Sequence, residues 1–107
     1  MYAELNKGEQ AVARRLVKTA IKMGYRVSVH DGIKWSPKFT TFGAAWSWLG
    51  EMDEDNIHLF DANDNRVGWI MLVWGNEPDG SELIANHSSN DLIDAVVDAA
   101  LKRKSGE

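Results

Sequence analysis

The sequence predicts a single α+β domain in which an antiparallel sheet of four to five strands packs with three helices. Three observations predict this fold class. Segments near both ends of the chain repeat apolar residues at helical spacing, segments between them favour strands, and turn-forming residues separate the segments. With 107 residues and no Pro/Ser-rich linker, residues 1–107 are near the commonest size of one domain. The predicted order is helix, strands, helix, hairpin, strand, helix.

The first helix is predicted over residues 8–23, where apolar residues recur on one face at helical spacing. Gly24 follows directly and suits the left-handed conformation in which many helices end. The stripe that should pack against the core includes Val12, Leu16 and Ala20.

Two strands are predicted after this helix. Residues 25–31 alternate apolar and polar side chains, the pattern of a half-exposed strand. Residues 34–40 are expected to return as a short strand. Pro37 confines that strand to an edge of the sheet, because proline lacks the N–H that a central strand donates.

The second helix is predicted over residues 42–52. Trp46 lies about 200° around this helix from Trp48, because each residue of an α-helix advances about 100°. Trp48, Leu49 and Met52 are therefore the expected core residues of the segment, and Trp46 is expected on its surface.

The central hairpin is predicted from residues 57–61 and 66–74, which flank four turn-forming residues. The second segment is apolar at both alternating sets of positions, which is typical of a strand covered at least partly on both sides. Trp69 and Trp74 are accordingly expected in the core.

A last strand is predicted over residues 82–87, and a last helix from Asp91 to about Arg103. One of residues 88–90 should cap this helix, because serine and asparagine side chains accept hydrogen bonds from the first backbone N–H groups. The apolar stripe of this helix consists of Leu92, Val96 and Ala99, with Ile93, Val97 and Ala100 beside it.

The composition excludes several chemistries. The chain has no cysteine, which excludes disulfides, thiolate nucleophiles and cysteine-ligated metal sites. The N-terminal segment lacks the pattern of a signal peptide, and no apolar run reaches the roughly 20 residues of a membrane span, so a cytoplasmic protein without membrane contact is expected. Because no P-loop, GxGxxG or GxSxG motif is present, no cofactor is expected and the protein is interpreted as non-enzymatic.

Charge is divided along the chain. The net charge is −4, with +5 over residues 1–40 and −11 over residues 41–100. Such asymmetry indicates either a surface that attracts a charged partner or ion pairing between the two parts of the chain.

The favoured binding surface combines tryptophans with acids. Five tryptophans exceed what a core of this size encloses, and exposed tryptophans are enriched where protein partners bind. Partial burial of the two outermost tryptophans is the alternative interpretation. The candidate partner-binding residues are Trp35, Trp46, Glu51, Asp53, Glu54 and Asp55.

A second candidate surface is the basic face of the first helix, formed by Arg14, Arg15, Lys18 and Lys22. Such a face contacts phosphates in nucleic-acid-binding proteins, although a pI of about 5.3 argues against general nucleic-acid binding. The favoured interpretation is a solvated face that pairs with acids of the last helix. Those acids are Asp91, Asp94 and Asp98.

Two patterns raise the question of metal binding, and neither is complete. His30, His58 and His87 lie on or at the ends of predicted strands and would form a zinc or copper site only if the strands brought them together. The DANDN segment at 61–65 resembles the start of a calcium loop but lacks the glycine at position 6 and the glutamate at position 12. No metal is therefore expected, and a small metal-dependent enzyme using the histidines is the least favoured alternative.

The string from SVHDG through MDEDNIHLFDANDNRVGWIMLVWGN resembles a family of small uncharacterised proteins of bacteria and their phages. The pattern is an acidic DED before a hairpin with a D-A turn and a strand that ends in G-N, over about residues 27–76. The usual glycine of the hairpin turn is replaced here by Asn63, Asp64 or Asn65. The family carries no known catalytic residues, and the resemblance implies a mobile-element accessory protein of a class that often binds and blocks a host protein, including host defence complexes.

The function expected from the sequence is non-catalytic binding to a host protein, which the protein would modulate or inhibit. Nucleic-acid contact through the basic face of the first helix is the alternative.

Overall fold

The computed structural model of the protein describes residues 7–50 and 53–102. Within these residues the chain forms three α-helices and one four-stranded antiparallel sheet, which confirms the predicted fold class and order of elements. The elements are α1 (Lys7–Lys22), β1 (Arg26–His30), α2 (Phe42–Trp46), β2 (Glu54–Phe60), β3 (Arg66–Val73), β4 (Ile84–His87) and α3 (Asp91–Ala100). The strands lie side by side in chain order, β1-β2-β3-β4.

Helix α1 forms where its apolar stripe predicts it and buries that stripe as expected. Helix α3 also forms, but its buried face is centred on Ile93, Val97 and Ala100, the residues predicted beside the stripe, whereas Ala99 of the predicted stripe is exposed. After α1 the chain turns at Gly24, whose φ of 93° lies in the region that favours glycine. Asn90 caps α3, since its side chain accepts a hydrogen bond from the Ile93 N–H at 2.9 Å. Helix α3 ends at Ala100, before the predicted end, and Lys102 has the left-handed φ of 57°.

Two polar contacts fix α1 to the rest of the domain. The Arg15 guanidinium donates from Nε to the carbonyl oxygen of Ala100 at 2.8 Å, at the end of α3. The buried Glu9 carboxylate accepts hydrogen bonds from the backbone N–H groups of Gly75 and Asn76, at 2.9 and 3.2 Å. These contacts satisfy backbone groups that the helix end and the loop after β3 leave without secondary-structure partners.

Helix α2 is shorter than predicted: it ends at Trp46 and does not continue to Met52. The chain turns at Gly50, whose φ of 78° is left-handed and whose N–H donates to the Asp55 carboxylate at 2.9 Å. After the helix, the Trp48 and Leu49 N–H groups donate to carbonyls three residues earlier, and Gly50 then bonds to a carboxylate on β2. Met52 lies outside the described residues.

The segment 34–40 is not a regular strand. Trp35 and Phe39 each form an isolated bridge to β1, at the two ends of the segment. Pro37 lies between them and has no N–H to donate, so a continuous ladder does not form. The segment nevertheless runs along the outer edge of β1, as the sequence predicts for an edge strand.

The prediction that Trp69 lies in the core is wrong. The buried side of β3 consists of Gly68, Ile70 and Leu72, which face the helices. Trp69 lies on the opposite side, half-exposed, and does not pack against the core cluster. By contrast Trp74 is buried, at 4% exposure, as predicted.

A β-bulge interrupts the pairing of β2 with β3. Leu59 pairs with Gly68 and Phe60 pairs with Arg66, so Val67 is an extra residue on β3. Val67 packs against the core, although simple alternation assigns it to the same side as Trp69. The bulge therefore moves Arg66 to the side of the sheet that carries Phe60, as bulges commonly re-aim side chains.

Candidate functional site

The candidate site is the face of the sheet that points away from the described helices, called the open face below. Its residues come from alternate positions of three strands, and the antiparallel register sets them side by side. The open face consists of Arg26, Ser28 and His30 of β1, Glu54, Asn56, His58 and Phe60 of β2, and Arg66, Trp69, Met71 and Val73 of β3, with Trp35 lying over it.

Large apolar side chains on the open face belong to no core. The buried cluster and the hydrophobic residues packed against it contain none of five residues that the structure describes on this face. An apolar patch that no described element covers is typical of an interaction site. The five residues are Trp35, Phe60, Trp69, Met71 and Val73.

Trp35 is the most exposed of these side chains, at 52%. Its indole ring contacts two imidazole rings edge to face, with centroid distances of 4.8 Å to His30 and 4.5 Å to His58. Edge-to-face contacts of this kind hold a ring in one orientation. Trp35 therefore projects as a supported ring and has limited freedom to rotate.

The backbone beneath Trp35 is held by serine hydroxyls. The Ser36 hydroxyl accepts from the Val29 N–H at 2.8 Å and donates to the Pro37 carbonyl at 2.7 Å. The buried Ser28 hydroxyl donates to the Ser36 carbonyl at 3.0 Å. These bonds supply the attachment to β1 that the interrupted ladder lacks, and they fix the position of the neighbouring Trp35.

A pocket of about 550 Å³ lies on the open face between Trp35 and the end of the β2–β3 hairpin. One wall is the Phe60 ring, over which the Lys38 ammonium lies 4.4 Å from the centroid. Its size and aromatic lining are those of sites that take a small ligand or a single side chain. The pocket is lined by Ser28, Trp35, Ser36, Lys38, His58, Phe60 and Arg66.

His58 is uncharged at neutral pH. Burial, followed by the charges of Arg66 and His30, lowers the pKa of its imidazole to about 4. The Arg66 guanidinium, which can only donate, lies 3.5 Å from His58 Nδ1. That contact assigns the acceptor role to Nδ1 and the proton to Nε2.

The hairpin turn beside the pocket concentrates charge. Asp64 adopts a left-handed φ of 68°, the conformation that a glycine would otherwise supply. Its carboxylate pairs with Lys38 and, at 2.9 Å, with Arg26. The hydrogen bond from Lys38, followed by the charges of both cations, holds the pKa of Asp64 below its usual value. Asp61 closes the turn by accepting from backbone N–H groups, so the DANDN segment folds as a hairpin turn.

The predicted acidic surface is divided by the structure. Asp55 is fully buried in β2 and accepts from the Trp74 indole N–H at 2.8 Å, so its carboxylate supports the fold. Glu54 is half-exposed on the open face, and Asp53 is exposed just before β2. Glu51 lies outside the described residues.

The two predicted surface tryptophans lie on different parts of the molecule. Trp35 lies over the open face, whereas Trp46 is half-buried against the core and stacks on Phe42 with a centroid distance of 5.3 Å. The Arg14 guanidinium lies 5.3 Å from the Trp46 ring centroid, and Lys18 lies 5.0 Å from that of Phe42. Trp46 therefore joins the basic face of α1, which the sequence treats as a separate candidate.

The remaining members of the basic face differ from each other. Arg15 is half-buried and donates to the end of α3, so it has a structural role. Lys22 is exposed in the last turn of α1. The contact functions of these residues stay predictions.

The three histidines do not converge. His30 and His58 lie on the open face, but His87 lies near α3, where its Nδ1 is 3.9 Å from the Asp94 carboxylate. In the described parts of the chain, no group of three or more acidic or histidine side chains is arranged to hold a metal ion.

Sequence reasoning missed most of the open face. The sequence shows that β3 is apolar on both sides, but this pattern fits a strand buried on both sides as well as a strand with one apolar side exposed. The position of Phe60 could have been inferred from the alternation of β2, because Phe60 shares a side with polar residues and lies opposite Ile57 and Leu59.

Comparison of the chain with family models, with curated proteins and with solved structures gave no match. Among the described helices, none combines the length and the apolar character required to cross a membrane.

Proposed function

We propose that the protein is a non-catalytic binding module that contacts a protein partner through the open face. The observation that carries this proposal is the set of large apolar side chains on that face that pack against no core. Aromatic residues and methionine are enriched in the centres of protein interfaces, where they contribute most of the binding free energy.

The hydrogen bonding of the open face supports a role without catalysis. The Ser28 and Ser36 hydroxyls both donate to backbone carbonyls, so neither directs its proton towards a base. A nucleophilic serine needs a base within hydrogen-bond reach.

The charges around the patch favour a partner with an acidic contact segment. Arg26, Lys38 and Arg66 lie at the hairpin end of the open face, where the two carboxylates of Asp61 and Asp64 offset only part of their charge. This end is locally basic on a chain whose net charge is −4. Complementary charge accelerates association and orients the partner.

The resemblance described above supports placing this partner in a bacterial host, where the module would modulate or inhibit a host protein complex.

The test uses a matched pair of methionine substitutions. Met71→Thr removes an apolar contact from the centre of the open face, whereas Met23→Thr removes an exposed methionine that follows α1. The tagged protein is used to capture partners from a nuclease-treated host lysate, and the stoichiometric partner is purified and titrated by calorimetry. We expect Met71→Thr to weaken binding at least tenfold and Met23→Thr to leave it unchanged, because the loss of one central interface contact commonly costs more than about 1 kcal/mol.

Two results would overturn the proposal. Equal affinities of the two variants would remove the open face from the interface. A dimer detected by analytical ultracentrifugation that Met71→Thr dissociates would assign the face to a second copy of the chain.

A second candidate function, nucleic-acid contact, is favoured by the rings beneath the basic face of α1. Arg14 and Lys18 lie above the stacked rings of Trp46 and Phe42, and cations beside aromatic rings are common in single-strand binding sites. Binding of a fluorescent oligothymidine should then fall steeply with salt and be lost in the Arg14→Glu, Lys18→Glu double variant. Binding that the double variant retains would refute this candidate.

A further inference from the structure

The floor of the pocket on the open face is suited to an apolar group. Its polar atoms are already paired within the chain: Ser28 Oγ donates to the Ser36 carbonyl, and Ser36 Oγ both accepts from Val29 and donates to Pro37. Both hydroxyl protons at the floor are therefore already used, so a ligand acceptor atom there would have to displace one of these bonds or be buried without a partner, which is costly.

The walls of the pocket are suited to an aromatic ring. Trp35 and Phe60 supply two ring surfaces, and His58 adds a third. The His58 imidazole is neutral near pH 7, since its pKa is lowered to about 4, so an apolar group entering the pocket does not bury a charged imidazole. The volume of about 550 Å³ accommodates one aromatic side chain with its adjoining backbone.

The rim of the pocket is suited to a carboxylate. Lys38 is paired with Asp64, whereas Arg66 forms no ion pair with any carboxylate in the described residues. Arg66 is exposed, and its planar guanidinium can donate two parallel hydrogen bonds to one carboxylate.

We infer that the pocket between Trp35 and Phe60 binds an aromatic side chain of an acidic peptide segment, with Arg66 binding a carboxylate that neighbours the aromatic residue. This inference rests on the proposed protein-binding function and names the chemistry of the segment that the open face recognises. The bulge at Val67 is essential to it, since the bulge brings Arg66 to the face that carries Phe60.

The probe is the peptide acetyl-Asp-Phe-Asp-amide, compared with acetyl-Lys-Phe-Lys-amide and acetyl-Asp-Ala-Asp-amide. Each is titrated into isotope-labelled full-length protein, and binding is followed by NMR through the indole N–H of Trp35 and the imidazole of His58. We expect the first peptide to bind at least tenfold more tightly than either control, because only this peptide has both an aromatic ring for the pocket and carboxylates for Arg66. Equal binding of the three peptides, or chemical-shift changes confined to residues outside the pocket, would overturn the inference.

Two variants separate the contributions of wall and rim. Arg66→Gln should reduce the preference for acidic over basic flanks at least fivefold, whereas Arg14→Gln, the same change on α1, should leave it unchanged. Trp35→Ala should remove the preference for Phe over Ala in the peptide, and its amide spectrum reports whether the fold is retained. An acidic preference that persists in Arg66→Gln would remove Arg66 from the site.

Met71→Thr distinguishes failure of this inference from failure of the proposed function. Met71 lies on the open face but does not line the pocket, so the variant should weaken the full partner and leave the peptide affinity unchanged. If the partner depends on Met71 but the acidic aromatic peptide does not bind, the inference fails alone. If the peptide binds but the partner is insensitive to Met71, the proposed function fails.

Discussion

Among the acids predicted to form a binding surface, Asp55 is the one whose removal should most clearly show a structural role. Its carboxylate is fully buried and accepts from the Trp74 indole N–H at 2.8 Å and the Gly50 N–H at 2.9 Å. It thereby joins the turn after α2, the start of β2 and the end of β3. We predict that Asp55→Ala destabilises the domain strongly.

The magnitude follows from the two bonds. A hydrogen bond to a charged group contributes about 1.5–3 kcal/mol, and donors left buried without a partner incur a desolvation penalty. Losing the bonds from Trp74 and Gly50 should therefore lower the free energy of unfolding by about 3 kcal/mol or more. For a domain of this size that corresponds to a fall of at least about 12 °C in Tm. Asp55→Asn should cost less, because the amide oxygen still accepts.

Urea unfolding followed by circular dichroism measures the effect, with Asp53→Ala as the matched control. Asp53 is an exposed acid two residues away, and exposed substitutions usually change stability by less than about 0.5 kcal/mol. Combining Asp55→Ala with Trp74→Phe should give a coupling energy of about 0.5–3 kcal/mol. Equal stabilities of the Asp55→Ala and Asp53→Ala proteins would refute the role assigned to this carboxylate.

Three further predictions concern single residues of the sheet and of α3. Because the pKa of His58 is lowered in the folded protein, the unfolded chain binds the proton more tightly, and the free energy of unfolding should fall as pH decreases from about 6.5 to about 4. NMR titration of the imidazole measures the pKa, and the His58→Asn protein should lack this pH-dependent loss of stability. Gly68→Ala should lower the free energy of unfolding by about 1–3 kcal/mol, because a Cβ there would overlap the Ile93 side chain. Gly43→Ala is the control, since a Cβ at Gly43 meets open space; if thermal unfolding shows Gly68→Ala to be no less stable than Gly43→Ala, the packing described at Gly68 is wrong. Asn90→Ala should cost about 1 kcal/mol or more through loss of the cap of α3, and Asn90→Asp should cost less in the same thermal assay, because aspartate keeps the cap and loses only the hydrogen bond from the Asn90 amide to the Val67 carbonyl.

The parts of the fold that the sequence predicts correctly depend on local periodicity. The stripe of α1 and the cap of α3 involve residues within a few positions of each other, so their geometry follows from helix spacing alone. The path of the chain after α2 does not: Gly50 has a left-handed φ and its N–H donates to Asp55, which lies on a strand. Such a partner is identified only when the tertiary structure is known.

The candidate site was harder to predict because two non-local features create it. Trp35 reaches the open face because the segment around it runs along β1, and Ser36 rather than a continuous ladder holds it there. Arg66 reaches the same face because the register shifts by one residue between Leu59 and Phe60. Since a shift of one residue moves a side chain to the other side of a sheet, alternation in the sequence could not assign Arg66.

The side of the sheet on which the helices pack determines which apolar residues of β3 belong to the core. A strand apolar on both sides is expected where both sides are covered, yet the described helices pack against the side of Ile70 and Leu72. Trp69 and Met71 on the other side contribute little to the core, and polar residues there would favour solubility without loss of packing. The proposed partner would cover this side and give these residues the burial that the described elements do not supply. The proposal also accounts for the position of Trp35, the most exposed aromatic ring among the described residues, over the same face.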